Sequence, residues 1–160
     1  MARPVPTITG MTEPPETTEQ TESTADVLRR VNAMGAGTLI ERMGIVITEV
    51  AADRLVATMP VEGNTQPYGL LHGGASVVLA ETMGSLGSVL HAGPDRVAVG
   101  LDINATHHRA VRSGTVTGTA RAMHLGRTTA SWQVEIVDDQ GRAVCTSRIS
   151  CLLRDAAPGA

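Results

Sequence analysis

Polar and apolar positions divide the chain into a polar start, a short helical lead, a hairpin, one long apolar helix and a run of strands. Ala25 to Asn32 reads as a short helix capped by Thr24 or Ser23. Thr38 to Met43 reads as a second helical turn stopped by Gly44. Ile45 to Val50 and Leu55 to Met59 read as a hairpin around Ala52 and Asp53. After a loop from Val61 to Leu71 comes a helix from about Gly74 to His91, whose Ala, Val, Leu and Met content leaves few polar positions. A helix apolar nearly all round is a buried helix. Gly93-Pro94 ends it.

Four strand patterns follow. Val97, Val99, Leu101 and Ile103 alternate on one face of the first, and the second runs from Thr115 to about His124. In the third, Trp132, Val134 and Ile136 alternate against Ser131, Gln133 and Glu135. Asp138-Asp139-Gln140-Gly141 turns the chain into the last, Ala143 to Leu153. One long buried helix, set after a hairpin and before a four-strand antiparallel run, predicts an α+β fold in which a sheet wraps round that helix.

The chain has 160 residues, enough for one domain with a real core and too few for two ordinary ones. Residues 1 to about 24 are rich in Pro, Thr and Glu and cannot bury enough apolar surface to offset ordering entropy, so a disordered tail is expected there. The domain is expected over about 25–154, with a frayed end at about 155–160.

Composition removes several function classes. The formal charge of −3 argues against a nucleic-acid surface. All 13 basic residues are Arg, which excludes Schiff-base lysine chemistry and a P-loop lysine. With no Phe, one Trp and one Tyr, base-stacking platforms are not expected. Cys145 and Cys151 share one strand at a separation of about 20 Å, beyond disulfide reach, and read as reduced thiols. No apolar run is long enough to cross a bilayer and no signal pattern opens the chain, so the expected location is the cytoplasm.

Candidate chemistry concentrates between Asn64 and Glu81. Gln66 supplies an amide, His72 an imidazole, and Gly73-Gly74 opens the apolar helix. N–H groups at a helix start have no intrahelical partner and lie at the positive end of the dipole, so they can hold an oxygen on which negative charge develops. Glu81, two turns on, is a candidate base or nucleophile. It forms a polar stripe with Ser85 and Ser88 at i, i+4, i+7. Apolar sequence on both flanks of Glu81 argues for a functional carboxylate over a solvated helix edge. His72 taken singly reads equally as a cap. Gly84 and Gly87 cost about 1 kcal/mol each against Ala inside a helix and read as close packing contacts. His107 and His108 are adjacent on a strand and face opposite ways, and no ligand spacing is present, so no metal site is expected. Arg109, Arg112 and Arg127, with the Gly126-Arg127-Thr128 turn, read either as phosphate contacts or as solvated surface.

Four blocks carry a family resemblance: Gln66 to Ser76, Leu79 to Ser85, Asn104 to Arg109, and His124 to Arg127. Together they resemble the hotdog-fold thioesterases, specifically the bacterial 4-hydroxybenzoyl-CoA type with its enterobactin- and menaquinone-pathway relatives. The likeness runs from Asn32 to Leu153. It implies a hotdog fold, dimers that join their sheets, active sites at the dimer interface, and pairing of dimers into a homotetramer. It implies hydrolysis of an aromatic acyl-CoA to free acid and CoA, with no cofactor beyond the CoA of the substrate.

By the same resemblance Glu81 is nucleophile or general base, and the Gly73 N–H of the partner helix polarises the thioester carbonyl. Gln66 and His72 help to position carbonyl and water, and Ser85 orients the water or the aryl group. Gly74, His107, Arg109, Gly126, Arg127 and Thr128 lie near CoA. The residues around Asn32 and His72 look most like the 1,4-dihydroxy-2-naphthoyl-CoA thioesterases of menaquinone synthesis, with proofreading thioesterases for aryl carrier proteins as the alternative. A hydratase on the same fold and a non-catalytic acyl-CoA-binding protein are the two rival readings.

Overall fold

A computed structural model of the protein describes residues 22–156. The tail expected over 1–24 lies outside that span apart from its last three residues, and the expected C-terminal tail apart from its first two. Of these, Thr24 opens a helix and Asp155 closes a strand. Helix α1 spans Thr24–Ala33, with the Ser23 hydroxyl accepting the Asp26 N–H at 3.2 Å as its cap. Asp155 is the final residue of the last strand.

Helix α2 is the single turn Leu39–Arg42, capped by Thr38, and Gly44 follows at φ +66°, where a side chain would be strained. The hairpin is β1 (Val46–Val50) and β2 (Arg54–Pro60). Helix α3 (Gly73–Ala92) ends at Gly93, also at positive φ. Then come β3 (Arg96–His107), β4 (Thr115–Leu125), β5 (Thr129–Val137) and β6 (Ala143–Asp155). All six strands form one antiparallel sheet in the order β1-β2-β4-β5-β6-β3, with α3 packed against β2 to β6.

With no Phe available, aliphatic side chains and one indole fill the core. Leu55, Met59, Leu79, Met83, Trp132 and Ile136 are fully shielded. Gly84 and Gly87 permit the approach of helix to sheet. A Cβ at Gly84 would lie 2.2 Å from Ile149 Cγ2, and one at Gly87 2.5 Å from Trp132 Cζ2. The close-packing reading of these glycines is what the contacts bear out. Ser88 departs from its expected place: it turns inward, donates to the Gly84 carbonyl at 2.7 Å and accepts the Trp132 indole N–H at 3.0 Å. The polar stripe therefore reduces to Glu81 and Ser85.

Two further expectations are corrected. Helix α3 is not buried all round: Ala75, Leu79, Ala80, Met83 and Gly87 face the core, but Val77, Val78, Thr82, Ser85 and Val89 are only half-buried. The even alternation along β3 is broken by a bulge. Gly100 pairs with Cys151 and Asp102 with Ser150, leaving Leu101 without a partner. Ala98, Ile103 and Ala105 pack toward the core, whereas Val99 and Leu101 are exposed. A bulge inserts one residue and so flips the faces beyond it. Cys145 and Cys151 are both buried free thiols, and burial pushes the Cys145 thiol up.

Candidate active site

Local hydrogen bonds hold the Asn64 to Gly74 segment in place. The Asn64 side-chain amide donates to the Met43 and Pro60 carbonyls at 2.8 and 2.9 Å, and the Asn64 backbone carbonyl accepts the His72 N–H at 2.9 Å. A small turn from Gln66 to Leu70 closes through Gln66 N–H to Leu70 O and Gly69 N–H to Gln66 O, with Gly69 at φ +71°. Leu71 then donates to the Val111 carbonyl. His72 is the N-cap of α3, its Nδ1 accepting the Gly74 N–H at 2.9 Å. That bond assigns the remaining ring proton to Nε2.

The helix start has four orphan N–H groups. The Asn64 carbonyl takes that of His72, His72 Nδ1 that of Gly74, and the His72 carbonyl that of Ala75. Among the described residues the Gly73 N–H is left without an acceptor. The His107 ring lies over Gly73, where a Cβ would stand 2.8 Å from Nε2. Gln66, Gly73, Ser76, His107 and Arg109 border one cleft of about 400 Å³. His108 borders the same cleft, contrary to the expectation that the two histidines face opposite ways, and its Nε2 lies 2.9 Å from Thr146 Oγ1.

Glu81 and Ser85 lie in a different, largely apolar groove of about 510 Å³, between α3 and the α1–α2 segment. Val78 and Thr82 line its α3 side; Met34, Leu39 and Ile47 line the other. Contrary to the expected burial, Glu81 is exposed in the single chain, because the face of α3 that carries it is the uncovered one. A Cβ at Gly100, next to the β3 bulge, would lie 3.4 Å from Glu81 Oε1. The Asn32 amide, on the same groove, is spent on structure: it donates to the Leu28 and Ile47 carbonyls and accepts the Ile47 N–H, each at 2.9 Å.

The expected site residues thus fall into three places. Gln66, His72, Gly73, Gly74, His107 and Arg109 surround the start of α3. Glu81 lies eight residues along, about 12 Å from Gly73 at the rise of an α-helix. Gly126, Arg127 and Thr128 form the β4–β5 turn at the other end, where the Gly126 carbonyl lies 3.0 Å from His91 Nε2. Arg127 therefore does not cluster with Arg109 and Arg112 within one chain. Sequence reasoning missed Ser76 and Gly100, which signal themselves only through their neighbours in space.

The description of the thioesterase superfamily matches residues 68–145. A Vibrio cholerae protein named as an esterase is 52% identical over 132 residues, covering 82% of this chain and 88% of its own. The proofreading thioesterase EntH of Cronobacter sakazakii is 50% identical over 124 residues, covering 77% and 90%. The chain belongs to the thioesterase superfamily.

The solved structure of a thioesterase from Haemophilus influenzae matches this thioesterase with a TM-score of 0.77 at 41% identity, covering 80% of this chain and 90% of that one. The antiparallel sheet round a long helix is accordingly the hotdog fold, and the protein is a thioester hydrolase.

Proposed function

We propose that this thioesterase hydrolyses an aryl thioester at a site completed by a second copy of the chain. The observation that carries the reading is the separation of the two halves of the chemistry. The unpartnered Gly73 N–H and the Glu81 carboxylate stand about 12 Å apart along one helix, too far to act on one carbonyl. Two copies joined through the free edge of β3, with their α3 helices antiparallel, would bring Glu81 of one to the helix start of the other. The uncovered face of α3 and the exposed Val99 and Leu101 support that pairing. Antiparallel helices would also bring the Gly126 to Thr128 turn of one copy toward His107 and Arg109 of the other, as a CoA site would need. Two such dimers would pair into a homotetramer.

In this reading the Gly73 N–H polarises the thioester carbonyl, with Gln66 and His72 positioning carbonyl and water. Glu81 activates that water or attacks the carbonyl carbon itself. The C–O bond forms, the C–S bond breaks, and the sulfur leaves as the thiol of CoA. An intermediate formed by direct attack would be cleaved by water to return the carboxylate. Ser85, half-buried one turn after Glu81, orients the water or the aryl group. The apolar groove beside Glu81 suits an aromatic acyl group. The step uses no cofactor beyond the CoA of the substrate.

A second reading concerns the carrier. Relatives named proofreading thioesterase EntH, at 46–50% identity, favour an aryl carrier protein as the donor over 1,4-dihydroxy-2-naphthoyl-CoA. The deciding experiment follows thiol release from 1,4-dihydroxy-2-naphthoyl-CoA, benzoyl-CoA, palmitoyl-CoA and a benzoyl-loaded aryl carrier protein, with Glu81→Ala beside the native chain. Aryl release that disappears in the variant supports the reading. Preference for palmitoyl-CoA rejects the aryl acyl group, and undiminished turnover by the variant rejects Glu81.

A further inference from the structure

The mechanism above leaves one buried polar group at the helix start without a task. Ser76 is 1% exposed, lines the cleft that holds Gly73, Gln66 and His107, and its hydroxyl has no hydrogen-bond partner among the described residues. Every fully shielded side-chain nitrogen or oxygen among those residues does have a partner. The small remaining exposure of Ser76 therefore belongs to its hydroxyl oxygen, which opens into the cleft. The contrast with Ser88 on the same helix is direct: Ser88 donates back to the Gly84 carbonyl and accepts from Trp132, which accounts for its burial. Burying a hydroxyl without a partner is costly, so a polar atom in this position points to a ligand.

Geometry says which part of the ligand. Ser76 is three residues after Gly73, on the same side of the first turn. Side chains on a helix lean toward its N-terminus, which carries the Ser76 hydroxyl back toward the free Gly73 N–H. Gly73 has no Cβ to stand between them, and the His107 ring closes the outer side. We infer that Ser76 is a second hydrogen-bond donor to the thioester carbonyl oxygen, sharing with the Gly73 N–H the negative charge that develops there. This rests on the proposed reading of the site. A donor aimed at developing charge acts mainly on turnover and little on ground-state binding.

The test measures kcat and KM for native protein, Ser76→Ala, Ser76→Cys and Glu81→Ala on whichever aryl-CoA of the panel turns over fastest, with circular dichroism of each. Ala is the better helix former, so a folded variant is expected. The expected result is a fall in kcat of about a hundredfold in both Ser76 variants, with KM within about twofold of native. Cys fills the space of Ser but donates poorly, so native kcat in Ser76→Cys would mean that Ser76 only fills volume and would overturn the inference. Native kcat in Ser76→Ala, with Glu81→Ala inactive, would overturn it while leaving the wider reading in place. Full activity in Glu81→Ala would remove both.

Discussion

Nδ1 of His72 accepts the N–H of Gly74, so the imidazole closes over the helix that it begins. The residue therefore has a structural task, the cap, whatever chemistry its free Nε2 performs. The two tasks separate by substitution. His72→Ala removes both and is expected to lower stability by about 0.5–2 kcal/mol, the usual cost of a lost cap. His72→Asn keeps a good capping residue while deleting the ring nitrogen that faces away from the helix. Denaturant midpoints should recover in His72→Asn, and turnover should not. Recovery of both would make His72 a cap alone.

The proposed function draws the two halves of the site from different copies, so complementation tests it. Gly73→Val drives a side chain into the His107 ring, which already stands 2.8 Å from a Cβ at that position. Glu81→Ala removes the carboxylate. Each variant alone is expected to be inactive. Co-expressed in equal amounts they form half mixed dimers, each with one intact site, and should regain about a quarter of native activity. Continued inactivity of the mixture would place both residues in a single-chain site.

Ser88 and Trp132 test the packing of α3 on the sheet. Ser88→Ala leaves the indole N–H buried without an acceptor and is expected to cost about 1–3 kcal/mol in urea unfolding. Gly87→Ala forces a methyl to within 2.5 Å of the same ring and should destabilise as well, despite the better helix propensity of Ala. An unchanged midpoint in both would mean that helix and sheet can separate freely here.

The β5–β6 turn predicts an acid-labile contribution. Asp138 accepts from the Arg142 side chain at 2.7 Å and from the Gln140 and Arg142 N–H groups, each at 3.0 Å. The Arg142 bond foremost holds its carboxyl down to about 2, from an ordinary 3.8. A carboxylate lowered on folding stabilises above its unfolded value and loses that contribution as pH falls toward the folded one. Native protein should therefore lose more stability than Asp138→Asn between about 3.8 and about 2, read as urea midpoints against pH. Parallel profiles would exclude Asp138 as a source of acid sensitivity.

The hairpin, α3, the β5 alternation and the turn at Gly141 were all legible in the chain, because each depends on residues within a turn or two of one another. The Gly-Gly helix start and Glu81 were legible for the same reason: both stand out against local apolar sequence. The bulge at Leu101 was not, since four apolar residues at alternate positions look regular until pairing with Cys151 and Ser150 sets the register. Nor was the inward turn of Ser88, whose reason is an indole 44 residues away.

By itself the sequence determined which segments are helix and strand, where the helix begins, and which residue types could do chemistry there. Tertiary structure alone decided which face of α3 stays uncovered and that Glu81 opens onto an apolar groove. It also decided that Gly73 keeps its N–H free under His107, and that the Gly126 turn stands at the far end of the helix. The physical reason is that periodicity and capping are local, whereas burial, register and the pairing of distant polar groups depend on contacts made only once the sheet has closed on the helix.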